Sequence, residues 1–253
     1  MKIKWVLYLT CAALFFSACN PEDIINDVVE GIELTDDQEN AVVITQIASE
    51  QGGAVAQLQA LMAMTRADFY QKSTLDTTFS IEWVSYTVSA SFYRENGQEI
   101  PVPVPGLLDS MSVSSALSGD STITTNGQSW SISLNRTSNF QMNEILQPTA
   151  IVNGTGTDRS QHGFSTPSLD LQLALNSTFG LTNIGLSQSA TNNIPVSGVL
   201  AGNAKGTVTA GNLPSKEIDI PYSVTFTGSQ QAVVSINNGE RTITIDLITG
   251  SVL

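Results

Sequence analysis

Catalysis by a serine nucleophile needs an imidazole base, and the sequence contains one histidine, His162. It lies in the polar stretch 158–163, which reads Asp-Arg-Ser-Gln-His-Gly. This composition and the final glycine predict a turn between strands, with a solvated imidazole. No Gly-x-Ser-x-Gly elbow is present in the chain. We therefore expect no catalytic residue and a protein that is not an enzyme.

Other patterns that carry chemistry are sparse. Two cysteines and one histidine cannot build a clustered zinc site, and the chain has no EF-hand, phosphate-loop or dinucleotide motif. We expect neither a metal nor a cofactor. Acidic residues after Asn40 are scattered, but two of them could converge in a cleft within about 10 Å of each other. A carboxylate-dependent hydrolase therefore stays as a second alternative function.

Cys19 has the clearest predicted chemistry. Two lysines precede the apolar stretch 5–16, and a Ser-Ala pair at 17–18 stands directly before the cysteine, which is the layout of a secretory signal. A membrane-spanning helix would need about 20 apolar residues. The segment resembles the lipobox of bacterial lipoproteins, with Phe16 where that pattern usually has leucine. This resemblance implies that residues 1–18 are a signal peptide and that Cys19 is lipidated.

The cysteine count agrees with a lipid anchor. Cys11 lies inside the signal and would leave with it, so the mature chain could form no internal disulfide. The membrane is then bound through the lipid on Cys19. An ordinary secretory signal with an incidental cysteine is the alternative.

Residues 19–34 are predicted to be an acidic tether. No basic residue lies between Asn20 and Asn40, and the whole chain carries a net charge of −13, so nucleic acid is not an expected partner. Acidic residues close behind Cys19 resemble the export signal of Bacteroidetes lipoproteins. The resemblance implies an outer-membrane location, at the cell surface or at the periplasmic face, with an envelope protein, a glycan or a lipid as the ligand.

Residues 35–66 are predicted to form a helix pair. Thr35 and Gln38 suit a capping box, and apolar residues recur at helical spacing from 43 to 62. The glycines at 52–53 should break the run. We expect the apolar stripe of the pair to pack on a sheet.

Residues 67–253 are predicted to form an antiparallel β domain of about ten strands, because apolar and polar residues alternate with period two. The expected fold is mainly β. It is a large antiparallel curved sheet, or an open barrel or sandwich, with the N-terminal helix pair packed on it. Asn-Gly pairs at 96–97, 126–127 and 238–239 predict two-residue hairpin turns. Three prolines within 101–105 allow at best an edge strand there.

Three segments carry a further resemblance: 130–140, 151–164 and 233–245. Together with the lipobox and the short helical region, they resemble uncharacterised cell-envelope lipoproteins of Bacteroidetes, although the Cys-Arg-Trp segment of that group is absent. The resemblance implies an architecture and no catalytic residues. Our leading hypothesis is a noncatalytic lipoprotein with a binding or scaffolding role at the outer membrane. The alternative is a carrier of a lipid or hydrophobic ligand in an open barrel.

Two kinds of surface site are predicted. Trp83 could stack on a sugar, because its neighbours on the strand are small hydroxyl residues, or it could lie under the helix pair. Three Asp-Ser/Thr tripeptides resemble acceptors of O-glycosylation in Bacteroidetes, and their acceptor residues are Thr77, Ser110 and Ser121. The tripeptide 109–111 is the best candidate because a loop is expected there.

Overall fold

The computed structural model describes residues 33–65, 76–81, 83–101, 104, 106–125, 128–165, 170–187, 194–211 and 213–253. The predicted signal peptide, Cys19 and nearly all of the predicted tether lie outside the described residues. In the part of the chain that is described, no helix has both the length and the apolarity needed to cross a membrane.

Two helices come first, and both confirm the sequence prediction. Helix α1 spans Asp36–Ile47, and helix α2 spans Ala54–Met64. Thr35 and Gln38 form the predicted capping box, in which each side chain binds the other residue's backbone amide. The break falls at Gly52, whose φ of 74° suits glycine. We call α1, α2 and their connection the helix hairpin.

Eleven strands follow: β1 (Asp76–Ile81), β2 (Val84–Tyr93), β3 (Glu99–Ile100), β4 (Ser110–Thr125), β5 (Gln128–Asn143), β6 (Thr149–Ser165), β7 (Asp170–Ser187), β8 (Pro195–Ala210), β9 (Lys216–Thr225), β10 (Gln231–Ile236) and β11 (Arg241–Asp246). They form one antiparallel curved, open sheet in the order β1-β2-β4-β5-β6-β7-β8-β9-β10-β11, with β3 beside β2. No ladder joins β1 to β11 among the described residues. The predicted fold class is confirmed.

The helix hairpin lies against the apolar face of the sheet. In α2 nearly every residue is buried, so the helix is surrounded by the sheet and by α1 rather than resting on a surface. The opposing strands present alternate buried residues, as in β2, where Val84, Tyr86 and Val88 are at most 3% exposed. The period-two prediction for this strand is confirmed.

The connection between α1 and α2 joins the two ends of the open sheet. The backbone amides of Ser49 and Glu50 donate to the carbonyl oxygens of Leu247 and Ile248, which follow β11. The indole nitrogen of Trp83, in the turn between β1 and β2, donates to the carbonyl oxygen of Glu50 at 3.0 Å. The helix hairpin therefore bridges the two edges that the strands leave apart.

Two of the predicted hairpin turns are wrong in length. The loop at 94–98 has five residues, and the loop at 237–240 has four. In the second loop Asn237 and Asn238 both have positive φ, so asparagine serves a longer turn here. The pair at 126–127 lies outside the described residues, although Thr125 pairs with Gln128 across it.

Other strand predictions have mixed outcomes. Strand β3 is limited to Glu99–Ile100, beside β2, and residues 102, 103 and 105 lie outside the described residues, so the edge-strand prediction for this segment stays a prediction. Trp83 was expected inside a strand on its wet face, and this is wrong. Ile81 pairs with Val84 across a tight turn, so Trp83 belongs to the turn and is partly buried.

Candidate functional site

A group of polar side chains is buried between the helix hairpin and the centre of the sheet. Its members are at most 3% exposed and come from α1, β5, β6 and β7: Gln46, Arg136, Asp158, Ser160, His162 and Ser177. We call them the polar cluster. Buried polar groups are costly unless they are hydrogen-bonded, so their contacts define what the cluster does.

Arg136 is the centre of the polar cluster. It projects inward from β5, and its Nη1 donates to the carbonyl oxygen of Gly52, at the break in the helix hairpin, at 3.0 Å. Its Nη2 donates to Oε1 of Gln46 at 3.0 Å and lies 3.7 Å from Oδ2 of Asp158. The Gln46 amide nitrogen donates to that same Asp158 oxygen at 2.8 Å. Gln46 thus bridges both members of the buried ion pair.

Gly156 allows the Phe179 ring to lie against the buried guanidinium of Arg136. Arg136 stands 5.3 Å from the centroid of the Phe179 ring, within the range of a cation–π contact. The Phe179 ring lies over Gly156 of the adjacent strand, where a Cβ atom would overlap the ring. Phe140 packs on the other side, with ring centroids 6.5 Å apart. The glycine therefore lets an aromatic ring lie flat beneath the buried charge.

His162 corrects the turn prediction. The whole stretch 158–163 lies inside β6, paired with β5 and β7 along its length, and His162 is 1% exposed. Period two turns Asp158, Ser160 and His162 to the inner face. The stretch looked like a turn because its outward residues are polar as well.

The hydrogen bonds of Ser160 fix the tautomer of His162. Ser160 Oγ donates to Oδ2 of Asp158 at 3.0 Å, and its one proton is thereby used. The 3.0 Å contact between His162 Nε2 and Ser160 Oγ then needs Nε2 to donate. In a serine hydrolase Nε2 accepts from the serine and the aspartate binds the imidazole. Here Nε2 donates to the serine instead, so this pair has the opposite hydrogen-bond direction from a serine hydrolase.

Burial dominates the titration of the groups around Arg136. It lowers the pKa of His162 from 6.5 to about 4, against the opposing attraction of Asp158. Burial also raises the pKa of Tyr86 to about 12, partly offset by Arg136. The pKa of Tyr222 is likewise raised by burial, with Arg136 opposing. All three groups are therefore neutral at neutral pH.

Further contacts fasten the helix hairpin outside the polar cluster. The amide of Gln57, in α2, donates to Ser138 of β5 at 2.7 Å. At the start of α1, Arg241 binds both Asp36 and Glu39. Within the described ranges no group of three or more His, Cys, Asp and Glu residues could hold a metal ion.

The opposite face of the sheet is wet and carries a shallow hollow of about 430 Å³ over β4, β5, β6 and β7. We call it the outer hollow. Its outward side chains are exposed and hydrophilic: Asp120, Thr122, Ser131, Ser133, Gln161 and Gln172. A second hollow of about 460 Å³, beside β2, is lined on its wet side by hydroxyl and amide side chains.

The predicted surface sites do not come together. Ser110 is the first residue of β4 and is half-buried beside the fully buried Met111, so the expected loop at 109–111 is wrong. Ser121 lies eleven residues further along β4, roughly 36 Å away at 3.3 Å per residue, and Thr77 lies in β1. Glycosylation at these residues stays a prediction.

Trp83 packs under the connection of the helix hairpin, which agrees with the alternative prediction that it lies under the helix pair. Its ring lies over Gly119, and its nitrogen is bound to Glu50. The ring and the nitrogen of Trp83 are therefore both engaged in contacts within the protein.

Sequence reasoning missed the polar cluster. Arg136 has the same parity as Ile132 and Leu134 on β5, so period two placed a charge on the apolar face. The alternation of Arg136 in step with Ile132 and Leu134 was the feature of the sequence that could have indicated a buried arginine. In comparisons with known proteins, this chain matches no protein family, no curated protein and no solved structure.

Proposed function

We propose that this chain is a noncatalytic lipoprotein of the cell envelope, held at the outer membrane through Cys19, with a binding or scaffolding role. The observation that carries the proposal is the packing of the helix hairpin against the curved sheet, in which nearly every residue of α2 is buried. The helix hairpin lies against the apolar face of the sheet, and a cavity between α2 and strands β2, β4 and β5 has a volume of about 10 Å³. That is about the space of one water molecule.

The tight packing of α2 on the sheet favours a scaffold over a carrier. A site for a lipid or a drug-sized ligand needs about 300 to 1,000 Å³ of mostly apolar space. The cavity beside α2 is lined by Leu61, Met64, Val88 and Phe140 and is far too small for such a ligand. Binding then falls to the outside of the sheet, and the hydrogen-bond geometry of Ser160 and His162 supports a noncatalytic role.

The anchoring part of the proposal is tested with the full chain in its native host. Wild type and Cys19→Ala are compared by intact mass, membrane fractionation and protease shaving of whole cells. We expect wild type to carry the mass of a lipid modification and to sediment with the outer membrane. Cys19→Ala should lack that mass and leave the membrane fraction.

Cys11→Ala is the matched control, because Cys11 lies inside the predicted signal. This variant should behave as wild type. If Cys19→Ala is processed and sediments as wild type does, the lipid anchor is wrong and the chain is a secreted protein of another kind. Shaving of wild type by external protease would place the domain at the cell surface, and protection would place it at the periplasmic face.

A further inference from the structure

The outer face of the central strands is exposed and almost uncharged. Along β5, β6 and β7, only Arg159 and Asp170 carry charge among the exposed outward residues. Designed and natural surfaces usually hold about 25 to 35% charged residues. The chain as a whole is also poor in charge, with 13% charged residues, and has a net charge of −13.

We propose that the outer hollow is a binding site for a neutral glycan. This inference rests on the proposed function, because it names a ligand class for the binding role proposed above. A sugar hydroxyl both donates and accepts hydrogen bonds, and the outer hollow offers groups of both kinds: the amides of Gln161 and Gln172, the hydroxyls of Ser131 and Ser133, and the carboxylate of Asp120.

The strand register sets these groups in two parallel rows. Thr122, Ser131, Gly163 and Gln172 are paired across four strands in one row. In the next row Asp120, Ser133 and Gln161 are paired in the same way. Neighbouring strands lie about 4.8 Å apart, which is close to the length of one pyranose ring. Side chains on successive strands can therefore form hydrogen bonds with successive hydroxyl groups of a sugar.

Gly163 shapes the floor of the outer hollow. The Ser131 hydroxyl and the Gln172 amide lie over its Cα, and an ideal Cβ there would stand 2.6 Å from Ser131 Oγ and 3.1 Å from Gln172 Nε2. A side chain at this position would push both polar groups outward. Because Gly163 has no side chain, the Ser131 hydroxyl and the Gln172 amide lie close to the backbone of β6, and this forms the floor of the outer hollow.

Charge and polarity select the occupant. Asp120 is the one charged side chain among the residues that line the outer hollow, so nucleic acids and anionic polysaccharides are repelled. A protein partner needs an apolar centre in its interface, and the exposed side chains here are hydroxyls, amides and one carboxylate. The volume of about 430 Å³ is within the range of small-molecule sites and suits one or two sugar rings.

The test is affinity electrophoresis of the full chain, purified from membranes in mild detergent, through native gels that contain dextran, mannan, galactan or alginate. We expect at least one of the three neutral polysaccharides to retard the wild type, and alginate not to do so. The double variant Gln161→Ala/Gln172→Ala should bind about tenfold more weakly or worse, because it removes two amides that face the ligand.

The control is Thr225→Ala/Gln231→Ala, which removes two exposed polar side chains from β9 and β10, away from the outer hollow. It should bind as wild type does, and circular dichroism should show both double variants folded. Failure of all three neutral polysaccharides, stronger retardation by alginate, or equal binding by Gln161→Ala/Gln172→Ala would overturn the proposal. Binding is measured on purified protein, so this result is separate from the fate of Cys19→Ala in cells.

Discussion

At the residue scale, Gln46 decides how the helix hairpin meets the sheet. Burying an arginine and an aspartate costs several kcal/mol per ion unless the pair is well bonded. Arg136 and Asp158 are 3.7 Å apart, a loose pair, and the Gln46 amide supplies one hydrogen bond to each. We expect this bridge to favour the observed position of α1, because a shift of Gln46 would remove one hydrogen bond from each charge.

His162 makes stability depend on pH. Its pKa falls from 6.5 in an unfolded chain to about 4 in the folded protein. Between these values the unfolded chain binds a proton that the folded protein does not, so the free energy of unfolding decreases as pH falls from 6.5 towards 4. We expect His162 to contribute a loss of about 2 to 3 kcal/mol between pH 7.5 and pH 4.5.

The measurement is urea denaturation of wild type and His162→Gln at both pH values. Glutamine can still donate to Ser160, and the other titrating groups are common to both proteins, so their effects cancel in the difference. The variant should lose about 2 to 3 kcal/mol less than wild type on acidification. Parallel losses in the two proteins would show that the imidazole does not titrate in this way.

The same residue shows what the sequence could and could not predict. Period-two alternation identified β2 because one of its faces is apolar and the other is wet. In the stretch 158–163 both faces are polar, so no alternation marks the strand. Only the pairing of β6 with β5 and β7, which is a long-range property, reveals that Asp158 and His162 point inward.

At the element scale, β6 depends on a glycine that faces a neighbouring ring. A methyl group on Gly156 would overlap Phe179, and moving that ring disturbs its contact with Arg136. We expect Gly156→Ala to lower the free energy of unfolding by about 1 to 3 kcal/mol, as overpacking does in other cores. Urea denaturation at neutral pH measures it.

Gly180→Ala, in β7, is the matched control. The nearest atom to a Cβ there is a backbone oxygen at 3.9 Å, an ordinary contact, so the substitution should change the free energy of unfolding by less than about 0.5 kcal/mol. Equal effects at the two glycines would mean that the cost comes from the strand backbone and not from Phe179.

Local signals predicted elements better than connections. The capping box of α1 and the break at Gly52 involve residues close in sequence, and both predictions are confirmed. The Asn-Gly turns were predicted too short, because asparagine adopts positive φ in longer loops as readily as in two-residue turns. The outer hollow depends on four strands in register, and the sequence predicts a turn at 158–163, so the position of Gln161 on the outer face follows only from the strand pairing.

At the scale of the whole molecule, the segment after β11 completes the fold. The carbonyl oxygens of Leu247 and Ile248 accept hydrogen bonds from Ser49 and Glu50. The side chains of Leu247 and Ile248 also pack on the core. We expect a chain that ends at Asp246 to unfold at a temperature several degrees lower than wild type, and to be cut by protease within the α1–α2 connection.

A chain that ends at Gly250 is the control for this truncation. It keeps Leu247 and Ile248 and their bonds to the connection but loses the pairing of residues 251–253 with β11, so its unfolding temperature should fall less than that of the shorter chain and the connection should stay protected from protease. If both truncated chains resisted protease equally, the connection would be held by Trp83 and Arg136 alone.

The enclosure of the helix hairpin has a consequence for the order in which the molecule is made. Synthesis produces the helix hairpin well before its partners Arg136, Asp158 and Leu247. Until then two apolar helices have nothing to pack on, and unpaired strand edges accumulate beside them. The newly made chain is therefore exposed to aggregation until β11 and residues 247–248 have been added.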